Sequence, residues 1–315
     1  MSISMHKDYF AAIDMGTNSF HLIIVKIKAD GSFKIIDRER EVIRLGSNSK
    51  DDFKMISLEE EKHALEILLR FKKLASKYNA QIKAVATSAV REAKNNNEFI
   101  QTVLKKTGIV VEIIKGKHEA NLIFQGAKKA LNLFDKKVLC IDIGGGSTEI
   151  ILGENGKIIF AESIKVGAVR LTKKFFPNYI LSDAANKLCK KYVEEQIISN
   201  KKILFNNNFD IAVGTSGTIQ SAASMIRNRI SDVEYKSLNG YSFNQAQLKD
   251  ITYKIIHAKK LQERQKIKFI DKKRADILPA GLIILNKIFE LFKIEKITIS
   301  EYALREGVIL EMINN

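Results

Sequence analysis

YFAAIDMGTNSFHLIIVKI (residues 9–27) and VLCIDIGGGSTEIILGE (residues 138–154) decide the fold. Each places Ile-Asp-x-Gly-x-x-Ser between two apolar, β-rich runs. Asp14, Gly16 and Ser19 in the first stretch correspond to Asp142, Gly144 and Ser147 in the second. Two such runs joined by a tight, Gly-containing turn read as a β-hairpin. The hairpin returns after about one domain length, which predicts two lobes of related fold.

The segments around the hairpins alternate in character. In the first half, 33–44 reads as a third strand. Ser57 and Glu60 form a capping box ahead of a helix over 58–78, with Leu58, Leu65, Leu68, Phe71, Ala75 and Tyr78 on one stripe. A strand and turn over 81–89, a helix over 96–107, a strand over 108–114 and a helix over 117–132 follow. The second half reads as a strand over 157–165, a helix over 182–203, a strand over 209–214 and a helix over 216–227. Helical stretches over 244–292, a strand over 296–300 and a last helix over 303–313 complete it. Three antiparallel strands followed by alternating elements, twice over, predict an α/β protein with mixed sheets.

The chain has 315 residues, 45% of them hydrophobic and 28% charged, enough to build a core in each half. No apolar run approaches the ~20 residues that span a bilayer, and the first residues carry no secretory h-region. Two unpatterned cysteines, Cys140 and Cys189, fit a reducing, cytoplasmic compartment and no zinc site. Fifty-two Lys and Arg against 36 Asp and Glu give a net charge of +16, a field that gathers polyanions. A Lys-rich coding bias produces the same number, so the charge gains meaning only from a site that uses it. No helix-turn-helix, zinc-finger or RNA-recognition signature points to nucleic acid.

Five motifs carry chemistry. In DMGTNS, the turn exposes backbone N–H groups, Thr17, Asn18 and Ser19 add donors, and Asp14 stands where a carboxylate holds Mg²⁺ through water. In DIGGGSTE, Gly144, Gly145 and Gly146 carry a conformational cost that makes sense where a ligand approaches the backbone. Ser147 adds a donor, and Asp142 and Glu149 flank the turn as carboxylates. In VGTSGTIQSAA, a strand runs through Thr215, Ser216 and Gly217 into a helix N-terminus, an anion site. Arg91 in ATSAVREAKN follows a strand end and suits phosphate. Glu119 in KGKHEANLIFQG opens a helix, where a carboxylate acts as a base on water or simply favours the dipole. Its neighbour His118 reads as solvent-facing. Each motif alone also reads as an ordinary turn or cap; the two hairpins together are far more specific.

The order DMGTNS, ATSAVREAKN, KHEA, DIGGGSTE, VGAVRLT, VGTSGT, RADI and LREG, from Asp14 to Gly307, resembles the exopolyphosphatase and guanosine pentaphosphate phosphohydrolase family. The resemblance implies a duplicated actin-like, ribonuclease H-like fold. It implies a first lobe over 1–130 with 301–315, a second over 131–300, and an active site in the cleft between them. It implies Glu119 as the base that activates water, with Glu149 beside it in the catalytic set. Asp142, Glu149 and the glycines form the phosphate and metal loop, and Arg91 contacts phosphate. The expected reaction is Mg²⁺-assisted release of terminal phosphate from polyphosphate or guanosine pentaphosphate. A polyphosphate:ADP phosphotransferase or a nucleotide-binding sensor on the same fold stands as the alternative. Homodimers are common in the family, and no patch of this sequence argues for one. His118 and Asn239-Gly240 depart from the family's usual second acid and His-Gly.

Overall fold

A computed structural model describes residues 8–46, 55–199, 208–231 and 233–314. The chain forms two compact units, Met1–Leu122 with Leu304–Asn315, and Ile123–Ala303.

In the first unit, β1 (Tyr9–Met15), β2 (Ser19–Ile27) and β3 (Phe33–Val42) form an antiparallel meander. Helix α1 (Leu58–Ser76) follows, then β4 (Gln81–Ala86), α2 (Ser88–Glu92), α3 (Asn96–Thr107), β5 (Val111–Ile113) and α4 (Gly116–Leu131). Strands β4 and β5 add in parallel beside β1, giving the order β3-β2-β1-β4-β5. The β1 interior (Ala11, Ala12, Ile13) is buried. Helix α1 starts on the predicted capping box: Ser57 Oγ accepts from Glu60 N–H, and the Glu60 carboxylate accepts from Ser57 N–H. Its inner stripe is Ala64, Leu68, Phe71 and Ala75. Leu58 is 85% exposed, because it lies at the helix's first position, ahead of the stripe.

The second unit repeats the scheme. Strands β6 (Val138–Ile143), β7 (Thr148–Glu154) and β8 (Lys157–Ile164) form the meander. Then come α5 (Ala168–Phe175), α6 (Asp183–Ser199), β9 (Ile211–Thr215), α7 (Ser216–Ser231), β10 (Ser242–Asn244), α8 (Gln245–His257), α9 (Leu261–Arg264), α10 (Leu278–Leu291) and β11 (Lys296–Ile299). Strands β9 and β11 add in parallel beside β6, and the sheet order is β10-β11-β9-β6-β7-β8. All six residues of β6 are buried, as its unbroken apolar run requires. Helix α10 is apolar on nearly every side and sits in the core with Pro279 in its first turn. The last helix, α11 (Leu304–Asn314), returns to the first unit.

The α/β class with two mixed sheets, and the same scheme repeated in two units, are as expected. The division of the chain falls inside α4, ahead of the expected limit at 130. The first half of that helix packs with the first unit; in its second half the Phe124 ring lies on Gly153 of β7. The end of the helix expected over 182–203 lies outside the described residues. Among the described residues, no helix is long and apolar enough to cross a membrane.

Candidate functional site

Each unit presents its hairpin turn with polar side chains packed around it. In the first unit, Asp14 lies near the end of β1, directly opposite His21, which in turn faces Arg40 of β3. The three side chains form one row on one face of the sheet. Arg305, at the start of α11, reaches the same row, its Nη1 3.3 Å from His21 Nδ1. Sequence reasoning left out His21, Arg40 and Arg305, because strand register aligns the first two and the return of α11 brings the third.

The turn between β1 and β2 is tied to α2. Thr17 Oγ1 accepts the Ala89 N–H at 3.2 Å. The Asn18 carbonyl accepts the N–H groups of Ile43 and Arg44. Asn18 Nδ2 donates to Ser19 Oγ at 2.9 Å, while Asn18 Oδ1 is buried without a hydrogen-bond partner. A half-turn of this amide lets Ser19 donate to the oxygen and places the NH₂ group at the unfilled position, where it suits an anion. Two residues past Ala89, Arg91 Nη1 donates to Glu119 Oε2 at 2.8 Å and to the Ile114 carbonyl at 2.9 Å. Glu119 is buried in the first turn of α4. Turn, Arg91 and Glu119 therefore belong to one connected set. Helix α2 itself, read from sequence as a turn, is too short to show a helical period.

His118 is half-buried rather than solvent-facing. Its Nε2 lies 2.7 Å from Glu311 Oε1 on α11, and its Nδ1 3.8 Å from Glu112 on β5. Lys83 of β4 pairs with the same Glu311.

In the second unit, the triple-glycine loop leans on α5. The carbonyl of Gly144 accepts from Ala168 N–H, and that of Gly145 from the N–H groups of Val169 and Arg170. The carbonyl of Gly146 accepts from Arg170 Nε at 2.7 Å. In a planar trans peptide the next N–H points opposite to the carbonyl. The N–H groups of Gly145, Gly146 and Ser147 therefore face away from α5. Among the described residues none of the three has a backbone acceptor. Three successive N–H groups turned outward form a concavity for an anion. Gly167 makes the approach possible: a Cβ there would stand 2.4 Å from the Gly145 oxygen.

Asp142 and Glu149 are cross-strand partners in the β6–β7 register. Their Cβ atoms are then about 5 Å apart on one face. Thr215, fully buried, donates its hydroxyl to Asp142 Oδ2. Glu149, 1% exposed, accepts from Ser147 Oγ at 2.8 Å and Ser163 Oγ at 2.7 Å. Ser216 Oγ accepts from Ile143 N–H and donates to the Ile143 carbonyl. The hydroxyls of Thr215 and Ser216 are thus spent inside the unit, where they position Asp142 and the strand end. Ser216 holds φ at +76°, a left-handed conformation that costs a non-glycine residue ~1–3 kcal/mol. Beside it, Gly217 leaves space for a guanidinium: a Cβ there would be 2.0 Å from Arg274 Nη2. Arg170 and Gly167 escaped residue-level prediction, since their partners are backbone groups far away in sequence; Arg274 did so because only the fold brings its guanidinium against Gly217.

Two facing carboxylates and a run of backbone donors suit a hard cation that shares its oxygen ligands with phosphate and water. Mg²⁺ takes one or two protein carboxylates and keeps waters. Among the described residues no cluster of three or more acidic, His or Cys side chains forms an all-protein metal cage. Cys140 and Cys189 are free and buried; burial, and Asp142 nearby, push the Cys140 thiol far up, and burial pushes Cys189 up to about 12. Both are inert core residues.

A family model described as the Ppx/GppA phosphatase family matches residues 23–315. A bifunctional 3-dehydroquinate synthase/phosphatase of Fusobacterium nucleatum is 31% identical over 99% of the chain, which spans 48% of that relative's length. An exopolyphosphatase structure from Cytophaga hutchinsonii is 28% identical with a TM-score of 0.88, covering 97% of this chain and 98% of that one. The Aquifex aeolicus member of the Ppx/GppA family is also 28% identical, with a TM-score of 0.80 and 97% of each chain covered.

Proposed function

We propose, from the premise that this chain belongs to the Ppx/GppA phosphatase family and is a phosphoanhydride-cleaving enzyme, that it releases the terminal phosphoryl group of inorganic polyphosphate or guanosine pentaphosphate. The observation that carries the reading is the Gly144–Ser147 loop, with its carbonyls bound to α5 and three N–H groups turned outward. Such donors are fixed before substrate arrives and need no reorganisation as charge develops on the phosphoryl oxygens.

Glu119 serves as the base. It takes a proton from water as the water oxygen bonds to the terminal phosphorus. The bond from that phosphorus to the bridging oxygen breaks, and the shortened chain leaves with the electron pair. Phosphoryl transfer depends chiefly on positioning and charge stabilisation. Arg91 supplies the positioning by fixing the Glu119 carboxylate through Oε2. Asp142 and Glu149 would hold Mg²⁺, with Asp14 as a further carboxylate from the first hairpin. When bound, the ion would neutralise phosphate charge. Thr17, Asn18 and Ser19 add polar groups for the substrate.

The test is phosphate release with Mg²⁺ from long polyphosphate, short polyphosphate and guanosine pentaphosphate in parallel, with and without ADP. Release that Glu119→Gln abolishes supports the hydrolase. Consumption only with ADP present makes the chain a phosphotransferase. Nucleotide binding with no turnover makes it a sensor.

A further inference from the structure

Residues 259–274 read KKLQERQKIKFIDKKR, eight basic residues against two acidic ones. The segment lies in the second unit and is no loose tail. A single guanidinium closes both its ends: Arg264 donates from Nε to the Ala275 carbonyl, from Nη1 to the carbonyls of Ala258 and Lys259, and from Nη2 to that of Tyr179. Arg264 is fully buried, where a cation is costly unless its donors are taken up. Here Ala258 and Ala275 are the two feet of a compact loop.

Between those feet the chain is the short helix α9 followed by a run of turns. Phe269 holds φ at +65°, an outlier for a bulky side chain that persists only where the surroundings impose it. Lys268 Nζ lies 4.9 Å from the Phe269 ring centre. Lys266, Lys268, Lys272 and Lys273 are all exposed. Gathering four like charges on one fixed loop costs mutual repulsion. The loop ends at Arg274, whose guanidinium packs on Gly217, next to the Ser216 that is bonded to Ile143 and one residue from the phosphate loop.

We infer that the 259–274 loop is a subsite for the distal part of a long linear polyphosphate, holding the phosphates beyond the one released at the Gly144–Ser147 loop. It gives the net charge of +16 a local use. This inference rests on the function proposed above. The partner is a phosphate chain rather than nucleic acid, because the basic run leads to a site built for a terminal phosphoryl group.

The full-length K266Q/K268Q/K272Q/K273Q variant tests it, with the four lysine-to-arginine changes as the charge-preserving control. Steady-state phosphate release is measured on long polyphosphate and on tripolyphosphate over a range of salt. The variant raises KM for the long chain about tenfold and flattens its salt dependence, because fewer counterions are released. The arginine variant keeps the wild-type KM, and all three proteins treat tripolyphosphate alike. An unchanged long-chain KM and salt slope in the glutamine variant overturn the subsite. Should wild type turn over no polyphosphate, the proposed function fails, and binding of labelled long polyphosphate judges the loop alone. A loss of affinity in the glutamine variant then supports the subsite, and equal affinity overturns it. Duplex DNA that competes as well as polyphosphate at equal phosphate concentration also overturns it.

Discussion

Arg91 and Glu119 lie 28 residues apart in the chain and form an ion pair, with Arg91 Nη1 2.8 Å from Glu119 Oε2. The same nitrogen donates to the Ile114 carbonyl at the end of β5. The arginine therefore fixes the carboxylate to the sheet as well as neutralising it. Lysine keeps the charge but not the planar fork. Arg91→Lys is expected to lower kcat about 10- to 100-fold with a smaller change in KM, as loss of base positioning requires. Steady-state kinetics on short polyphosphate check this. A kcat near wild type would show that Arg91 does not position the base.

Gly217 and Arg274 give a steric prediction. A methyl group at 217 would overlap the Arg274 guanidinium, with 2.0 Å to Nη2 and 2.1 Å to Cζ. The Arg274 head can move only by leaving this place. Gly217→Ala is expected to push the guanidinium aside at a small cost in stability, since the clash is with the far end of a flexible side chain, read as a slightly lower midpoint in urea. It is also expected to cut kcat/KM well beyond what that loss explains. An alanine variant that matches wild type in both would remove Arg274 from the site.

The hairpins show how far sequence carried. Ile-Asp-x-Gly-x-x-Ser occurs twice, and each copy folds as a hairpin at the centre of a sheet. The Ser57–Glu60 capping box was equally readable, since its partners are three residues apart. Such signals are local. The pairing of Arg91 with Glu119, the grip of Arg170 on Gly146 and the bond from His118 to Glu311 are not. They join residues that only the completed fold brings together, so the sequence could not name Glu119 as the acid that pairs with Arg91. The hydroxyls of Thr215 and Ser216 were readable as donors. That they serve Asp142 and the β6 backbone follows only from the parallel pairing of β6 with β9.

Thr215 has no exposure and donates to Asp142, so its removal takes a hydrogen bond from a buried carboxylate. Thr215→Val keeps the shape and loses the hydroxyl. It is expected to cost about 1–3 kcal/mol, because a hydrogen bond to a buried carboxylate is lost. Thr215→Ser should restore most of that stability. The Mg²⁺ concentration needed for half-maximal phosphate release should rise in the valine variant and return towards wild type in the serine variant. Equal stability of all three proteins would show that the hydroxyl is dispensable.

Glu311 yields a pH prediction. Burial raises its carboxyl pKa, but hydrogen bonds from Lys83 and His118, and their charges, outweigh that and hold it below the ordinary 4.5. A carboxylate with a lowered folded pKa stabilises the protein above its unfolded pKa, and the contribution disappears as pH falls through the folded value. Glu311→Gln should therefore lower Tm at pH 7 by a few degrees, about 1 kcal/mol for a unit of this size. The gap from wild type should narrow as pH drops below about 4.5, the unfolded-state value from which the shift is counted. His118 precedes Glu119 on α4, so the same change loosens the turn that carries the proposed base and should lower kcat. Thermal unfolding across pH 3–7 reads the first effect and steady-state kinetics the second. A gap in Tm that stays constant over the whole range would mean that the Glu311 charge contributes nothing to the tie between α11 and α4.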